Sequence, residues 1–215
     1  MRTPRFFLQV IVILIGSLFI SSAQEKETTK KGTKMTSDES KSKEIVVLET
    51  SMGKIEVAMF RAEAPKTVEN FLSYVRDKFY DSTIFHRVIK NFMIQGGGFT
   101  KDLKQKSTKP SIVNEADNGL KNEVGTIAMA RTPDPNSATS QFFINVKDNS
   151  SLNFKNKTPQ GWGYCVFGRV VKGMDVVNKI ENVKTGSANG MQDVPVEPVV
   201  ILTVRQKGKN EPAPK

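Results

Sequence analysis

The chain is short of the residues that most enzymes use for covalent or metal chemistry. In 215 residues it has one cysteine, Cys165, one histidine, His86, and one tryptophan, Trp162. A single cysteine forms no intrachain disulfide, although an exported chain would be free to use one. A histidine-rich zinc site is excluded, and a Cys/His cluster would need ligands that the chain lacks. A Cys–His catalytic pair stays formally open. Cys165, however, stands in the apolar run Tyr164-Cys165-Val166-Phe167, where a thiol behaves as a small hydrophobe. There is no internal repeat. Gly96-Gly97-Gly98 follows a β-like run but is not followed by the Lys-Ser/Thr ending of a phosphate-binding loop.

Long apolar runs are also scarce. The exception is Phe6 to Ile20, preceded by Arg2 and Arg5 and followed by Ser21-Ser22-Ala23. That order of charge, apolar run and small residues predicts a secretory signal peptide over 1–23. The run is short for a membrane span of about 20 residues, so an uncleaved anchor is the rival reading. No cysteine stands near the cleavage site to carry a lipid. Residues 24–43 are rich in Lys, Thr, Ser and Glu, with Met35 the one large apolar side chain, and are expected to be a disordered polar linker. The folded domain is expected over 44–206 and a flexible tail over 207–215.

The formal charge of +10 invites a nucleic-acid reading, but its distribution argues against one. Residues 44–204 hold 20 basic and 17 acidic side chains, a balance of only +3. The excess lies at the two ends, where it could give weak membrane association through the N-terminus. Hydrophobic content of 38% and charged content of 25% fit a globular domain with a real core.

Glu44 to Thr50 and Ile55 to Phe60 are β-rich runs around a Ser51-to-Lys54 turn and read as a hairpin. Pro65 suits the first turn of a helix in which Val68, Phe71, Leu72 and Val75 form an apolar stripe. Short β-like runs follow at 84–89, 93–97, 126–129, 141–145 and 166–170. A second helix is expected from Met174 to about Glu181, with Met174, Val177 and Ile180 inward, and a last strand over 199–204. Many strands with two helices give an all-β or α+β domain and suggest a closed barrel.

The densest chemistry lies in 85–99. Alternation from Arg87 places Arg87, Ile89, Asn91 and Met93 on one side of an ideal strand, with Val88, Phe92 and Ile94 on the other. Lys90-Asn91 could bend the run. Such an element could present a cation at the edge of an apolar concavity, suited to a carbonyl in a mostly hydrophobic ligand such as a peptide proline.

Phe85-His86-Arg87 with Phe92-Met93-Ile94-Gln95-Gly96-Gly97 resembles the signature of the cyclophilins, a family of peptidyl-prolyl cis-trans isomerases. Gly125 to Arg131 followed by Ser140-Gln141-Phe142-Phe143-Ile144 resembles the family's second signature, and Gly163 to Val170 its late core strand. The three occur in family order, and the likeness runs from about Glu44 to Arg205. It implies a mainly β fold, a closed eight-stranded antiparallel barrel capped by two α-helices.

The resemblance also assigns roles. Arg87 matches the catalytic arginine, with Phe92, Gln95 and Phe143 beside it in the catalytic group. Phe92, Met93, Phe143 and Leu152 match the proline pocket, and Gln95 the glutamine that binds substrate backbone and steadies the arginine. Ala130 and Arg131 match a segment whose main chain pairs with substrate. His86, Gln141 and Tyr164 complete the expected binding residues. Ser151 replaces a tryptophan that contacts the inhibitor cyclosporin in many members, and Tyr164 replaces a frequent pocket histidine. The implied enzyme needs neither cofactor nor metal. Its expected partners are proline-containing peptides and unfolded exported proteins, and a monomer is expected. The rival from another class is a proline-peptide binding module or holdase chaperone that needs no turnover.

Overall fold

The computed structural model describes residues 44–208. The expected signal peptide and linker lie outside the described residues, as does the tail beyond Gly208. No helix among the described residues is long and apolar enough to cross a membrane.

Eight strands close into an antiparallel barrel. They are β1 (Ile45–Thr50), β2 (Gly53–Met59), β3 (Thr83–Ile89), β4 (Met93–Thr100), β5 (Thr126–Met129), β6 (Phe142–Asn145), β7 (Val166–Lys172) and β10 (Val200–Gln206). Around the wall they run β1-β10-β3-β4-β6-β5-β7-β2. The remaining two, β8 (Thr185–Ala188) and β9 (Met191–Pro195), form a separate two-stranded sheet. The helices are α1 (Pro65–Arg76) and α2 (Met174–Glu181).

Period-two alternation fills the barrel. Val46, Leu48, Ile55, Val57, Ile94, Ile127, Phe142, Ile144 and Phe167 belong to the main core. The α1 stripe joins them through Phe71, whose ring lies 5.7 Å from Phe142 and 5.2 Å from Phe167. In α2 the buried residues are Val176, Val177 and Ile180, and Met174 is only partly buried against the core. Val176 packs over Gly53, where an added Cβ would come within 2.7 Å of its methyl group.

The β8–β9 hairpin was not expected. It is short, polar and outside the barrel, so it has no apolar alternation to announce it. Its one local signal is Asn189-Gly190, with φ of 49° and 77°. Positive φ at both central residues is the turn that matches strand twist in a tight hairpin.

Candidate active site

Strands β3, β4, β6 and β5 are neighbours, and their register aligns one residue from each. Arg87 stands opposite Gln95, Gln95 opposite Phe143, and Phe143 opposite Ala128. Directly opposed residues share a face of the sheet. This row lies outside the barrel: Phe143 and Ala128 join Met93 and Val166 in a second apolar cluster, separate from the interior core. Phe92, Ala130, Leu152 and Tyr164 pack against that cluster. A groove of about 460 Å³ is bounded by Arg87, Phe92, Met93, Gln95, Ala130, Arg131, Phe143, Leu152 and Tyr164.

A β-bulge aims Arg87. Phe85 pairs with Gly96 and Arg87 with Gln95, so two residues of advance on β3 meet one on β4. The extra residue reverses facing, as bulges do. Phe85 is fully buried in the interior core, whereas Arg87 reaches the groove. His86 is buried against the Phe99 ring, 4.6 Å between centroids, and does not line the groove. Burial, with the charge of Arg87 next, lowers the His86 pKa to about 4, so the imidazole is neutral at ordinary pH.

The alternation expected for 85–99 holds for Val88 and Ile94 inside and for Ile89 and Met93 outside. It fails at Phe92, which lies with the outer cluster. A turn replaces the ideal strand there: Phe92 N–H donates to the Ile89 carbonyl at 3.1 Å, and Asn91 has φ 59°. Asparagine tolerates that conformation better than most residues.

Gln141 stands at the far rim. Gln95 Nε2 donates to Gln141 Oε1 at 3.0 Å, and Gln141 lines an adjoining groove that shares Gln95, Ala130 and Arg131 with the first. The bare Cα of Gly98 leaves room for it, since a Cβ would fall 2.5 Å from Gln141 Cγ. Arg131 is fixed by its own contacts. Its Nε donates to the Gly163 carbonyl at 2.9 Å, its Nη1 to those of Thr132 and Pro133, and its guanidinium lies 4.7 Å over the Tyr164 ring. Tyr164 in turn meets Phe143 edge-on at 5.6 Å.

A chain of asparagines, not singled out from the sequence, holds the walls. Asn149 Nδ2 donates to the Phe92 carbonyl at 2.8 Å and to Asn145 Oδ1 at 2.7 Å. Asn145 Nδ2 donates to Asn122 Oδ1 at 3.2 Å and to Thr126 Oγ1 at 2.9 Å. Asn122 Nδ2 reaches the carbonyls of Leu152 and Tyr164, each at 3.2 Å. All three asparagines are buried. Three groove-lining backbones, at Phe92, Leu152 and Tyr164, thus meet in one network. The only sequence signal was the amide content of Asn145 to Asn153, which reads equally well as a polar loop.

Cys165 has no part in this chemistry. It is buried, contacts Thr67 Oγ1 at 3.4 Å, and burial pushes its thiol pKa up to about 12. Among the described residues no group of three or more His, Cys, Asp or Glu side chains is placed to hold a metal ion.

A closed eight-stranded barrel with an external apolar groove and an arginine on its rim defines a cyclophilin-type isomerase. The family model described as cyclophilin type peptidyl-prolyl cis-trans isomerase/CLD matches residues 45–206, and the chain belongs to that family. It is 66% identical over 163 residues to peptidyl-prolyl cis-trans isomerase cyp18 of Streptomyces antibioticus, covering 76% of this chain and 98% of that one. Peptidyl-prolyl cis-trans isomerase B of Escherichia coli is 59% identical over 160 residues, covering 74% and 98%. A peptidyl-prolyl cis-trans isomerase of Acinetobacter baylyi is 51% identical over 203 residues, covering 94% and 98%. A solved cyclophilin of Cryptosporidium parvum, crystallised in the presence of the dipeptide Ala-Pro, superposes with TM-score 0.64 at 28% identity, covering 75% of this chain and 98% of that chain. The chain is a peptidyl-prolyl cis-trans isomerase.

Proposed function

We propose that a substrate proline ring rests on Phe92, Met93, Phe143 and Leu152 while Arg87 acts on the X-Pro bond. Rotation about that bond meets a barrier of about 18–20 kcal/mol, because the nitrogen lone pair is delocalised into the carbonyl. In the twisted form delocalisation is lost and the nitrogen becomes pyramidal and basic. A donor aimed at that nitrogen stabilises the twisted form more than the planar one, which is what acceleration requires. Arg87 supplies a charged, planar fork at the groove edge. The ring keeps the proline side still while the preceding carbonyl swings. An acceleration of about 10⁵ needs about 7 kcal/mol of such differential stabilisation. No bond is made or broken, and neither nucleophile nor metal enters.

The observation that carries this reading is the single row Arg87, Gln95, Phe143 and Ala128 on one outer face. Arg87→Ala is expected to lower kcat/KM at least about tenfold with an unchanged fold, and Arg87→Lys to rescue poorly, because a point charge lacks the fork. Full turnover in a folded Arg87→Ala protein would remove Arg87 from the mechanism. It would favour a groove that binds proline peptides without needing this residue.

The biological setting we infer is the folding of exported proteins. Its support is the charge, apolar run and small-residue order of residues 1–23. Mass spectrometry of protein from its host is expected to show a chain beginning at Gln24. Intact residues 1–23 in a membrane fraction would replace export with anchoring.

A further inference from the structure

Arg87 has one charged neighbour that the row across the barrel wall does not include. Asp193 Oδ2 lies 3.7 Å from Arg87 Nε. That separation makes an ion pair without a hydrogen bond. Asp193 belongs to β9, in the hairpin that forms its own two-stranded sheet and packs against β3, the strand carrying Arg87. Its own backbone has φ 61°, a conformation that most side chains avoid. Aspartate is among the residues that accept it, and here it brings a carboxylate to the Nε edge of the arginine.

The other edge of the guanidinium behaves differently. Arg87 forms no hydrogen bond with a described residue through Nη1 or Nη2, and Gln95, its cross-strand neighbour, gives its amide to Gln141 instead. The fork is therefore held from one side by charge and left open to the groove on the other. Both side chains remain part-exposed, 43% for Arg87 and 40% for Asp193, so the pair contributes little to global stability. Its effect falls on direction: a long side chain with several rotors is biased toward the rotamers that keep Nε near Asp193.

We propose that Asp193 is a positioning residue for the isomerisation, holding the Nε edge of Arg87 so that Nη1 and Nη2 point into the groove. This rests on the reading of Arg87 as the group that acts on the X-Pro bond. Asp193 touches no reacting atom and acts only through the arginine. Neither Asp193 nor any other residue of the hairpin lines the groove, so the hairpin reaches it through the Arg87 side chain.

The test is a double-mutant cycle. Asp193→Asn keeps the size and the tolerance of positive φ while removing the charge, and Asp193→Gly relaxes the backbone as well. Each is expected to lower kcat/KM about threefold to fivefold, mainly in kcat, with Tm unchanged. In an Arg87→Ala background the same changes are expected to have no further effect. The Arg87 Nε–H resonance in ¹⁵N spectra is expected to move and broaden in Asp193→Asn. An equal loss in both backgrounds, or full turnover in Asp193→Asn, overturns the role of Asp193. Full turnover of Arg87→Ala alone identifies the failure as that of the arginine reading.

Discussion

Asn149 donates one amide proton to the Phe92 carbonyl at 2.8 Å, although 57 residues separate the two. Phe92 forms one wall of the groove, and Asn149 begins the turn that carries Leu152 on another. Asn149→Ala leaves the Phe92 carbonyl and Asn145 Oδ1 without this donor. The expected cost is about 1–3 kcal/mol of stability. Because both walls loosen, KM for a proline peptide should rise as well. Wild-type KM with only a lower Tm would confine Asn149 to a stabilising role.

The glycines of β4 differ in what they protect. At Gly97, φ is 81° and a Cβ would meet Phe142 at 2.8 Å and Tyr80 at 2.9 Å, both buried rings. Gly97→Ala should therefore be strongly destabilising. At Gly98 the three atoms nearest a Cβ all belong to the Gln141 side chain, which can move away and break its bond to Gln95. Gly98→Ala should lower Tm little and weaken peptide binding. Denaturation and kinetics on the two variants should separate these effects. An equal Tm loss in both would contradict the distinction.

His86 makes stability depend on pH. Its pKa is about 4 in the folded protein against 6.5 when unperturbed. Between those values the unfolded chain binds more protons, so folding weakens as pH falls. The contribution is whole above about pH 6.5 and lost by about pH 4, a change of about 3 kcal/mol. His86→Phe should abolish that part. Subtracting its urea midpoint from wild type at each pH removes the carboxylate contribution common to both. A constant difference from pH 7 to pH 4 would show that His86 titrates normally.

Ser151 is exposed on the short 3₁₀ turn Ser150–Leu152, next to groove-lining Leu152. The resemblance places an indole there in cyclosporin-binding members. An aromatic anchor is commonly worth about 2 kcal/mol or more, about thirtyfold in affinity. Weak inhibition by cyclosporin is expected, and Ser151→Trp should strengthen it with basal turnover unchanged. Titration of both proteins decides this. Tight inhibition of the unchanged protein would show that Ser151 does not stand where the indole does.

Most strands and both helices were legible as β-rich runs and apolar stripes, while the eight-stranded closure was implied by the family resemblance. β5 (Thr126–Met129) and α2 (Met174–Glu181) match the expected bounds. Period two could not reveal the bulge at His86. Phe85 and Arg87 share a face in an ideal strand, and only the pairing with Gly96 and Gln95 turns them apart. Phe92 failed for a related reason, since a turn interrupts the period. The groove's lining was read from the family resemblance, because Met93 and Phe143 look like ordinary core in isolation. The asparagine network and Asp193 were illegible: their meaning depends on partners in other elements, as in Asn122 with Tyr164, Asn149 with Phe92 and Arg87 with Asp193.

The barrel's seam lies at the end of the chain. β10 (Val200–Gln206) fits between β1 and β3, pairing Val46 with Gln206 and Ile84 with Val200. Lys207 N–H donates to the Ile45 carbonyl at 2.8 Å, so the first and last described strands are zipped together. During synthesis from the N-terminus, the cylinder cannot close until this final segment emerges. Until then β1 and β3 present bare edges, the surfaces most prone to pairing with another chain. An enzyme that acts on the slow X-Pro rotation thus has a late closing step of its own, and a nascent copy keeps two strand edges open until β10 arrives.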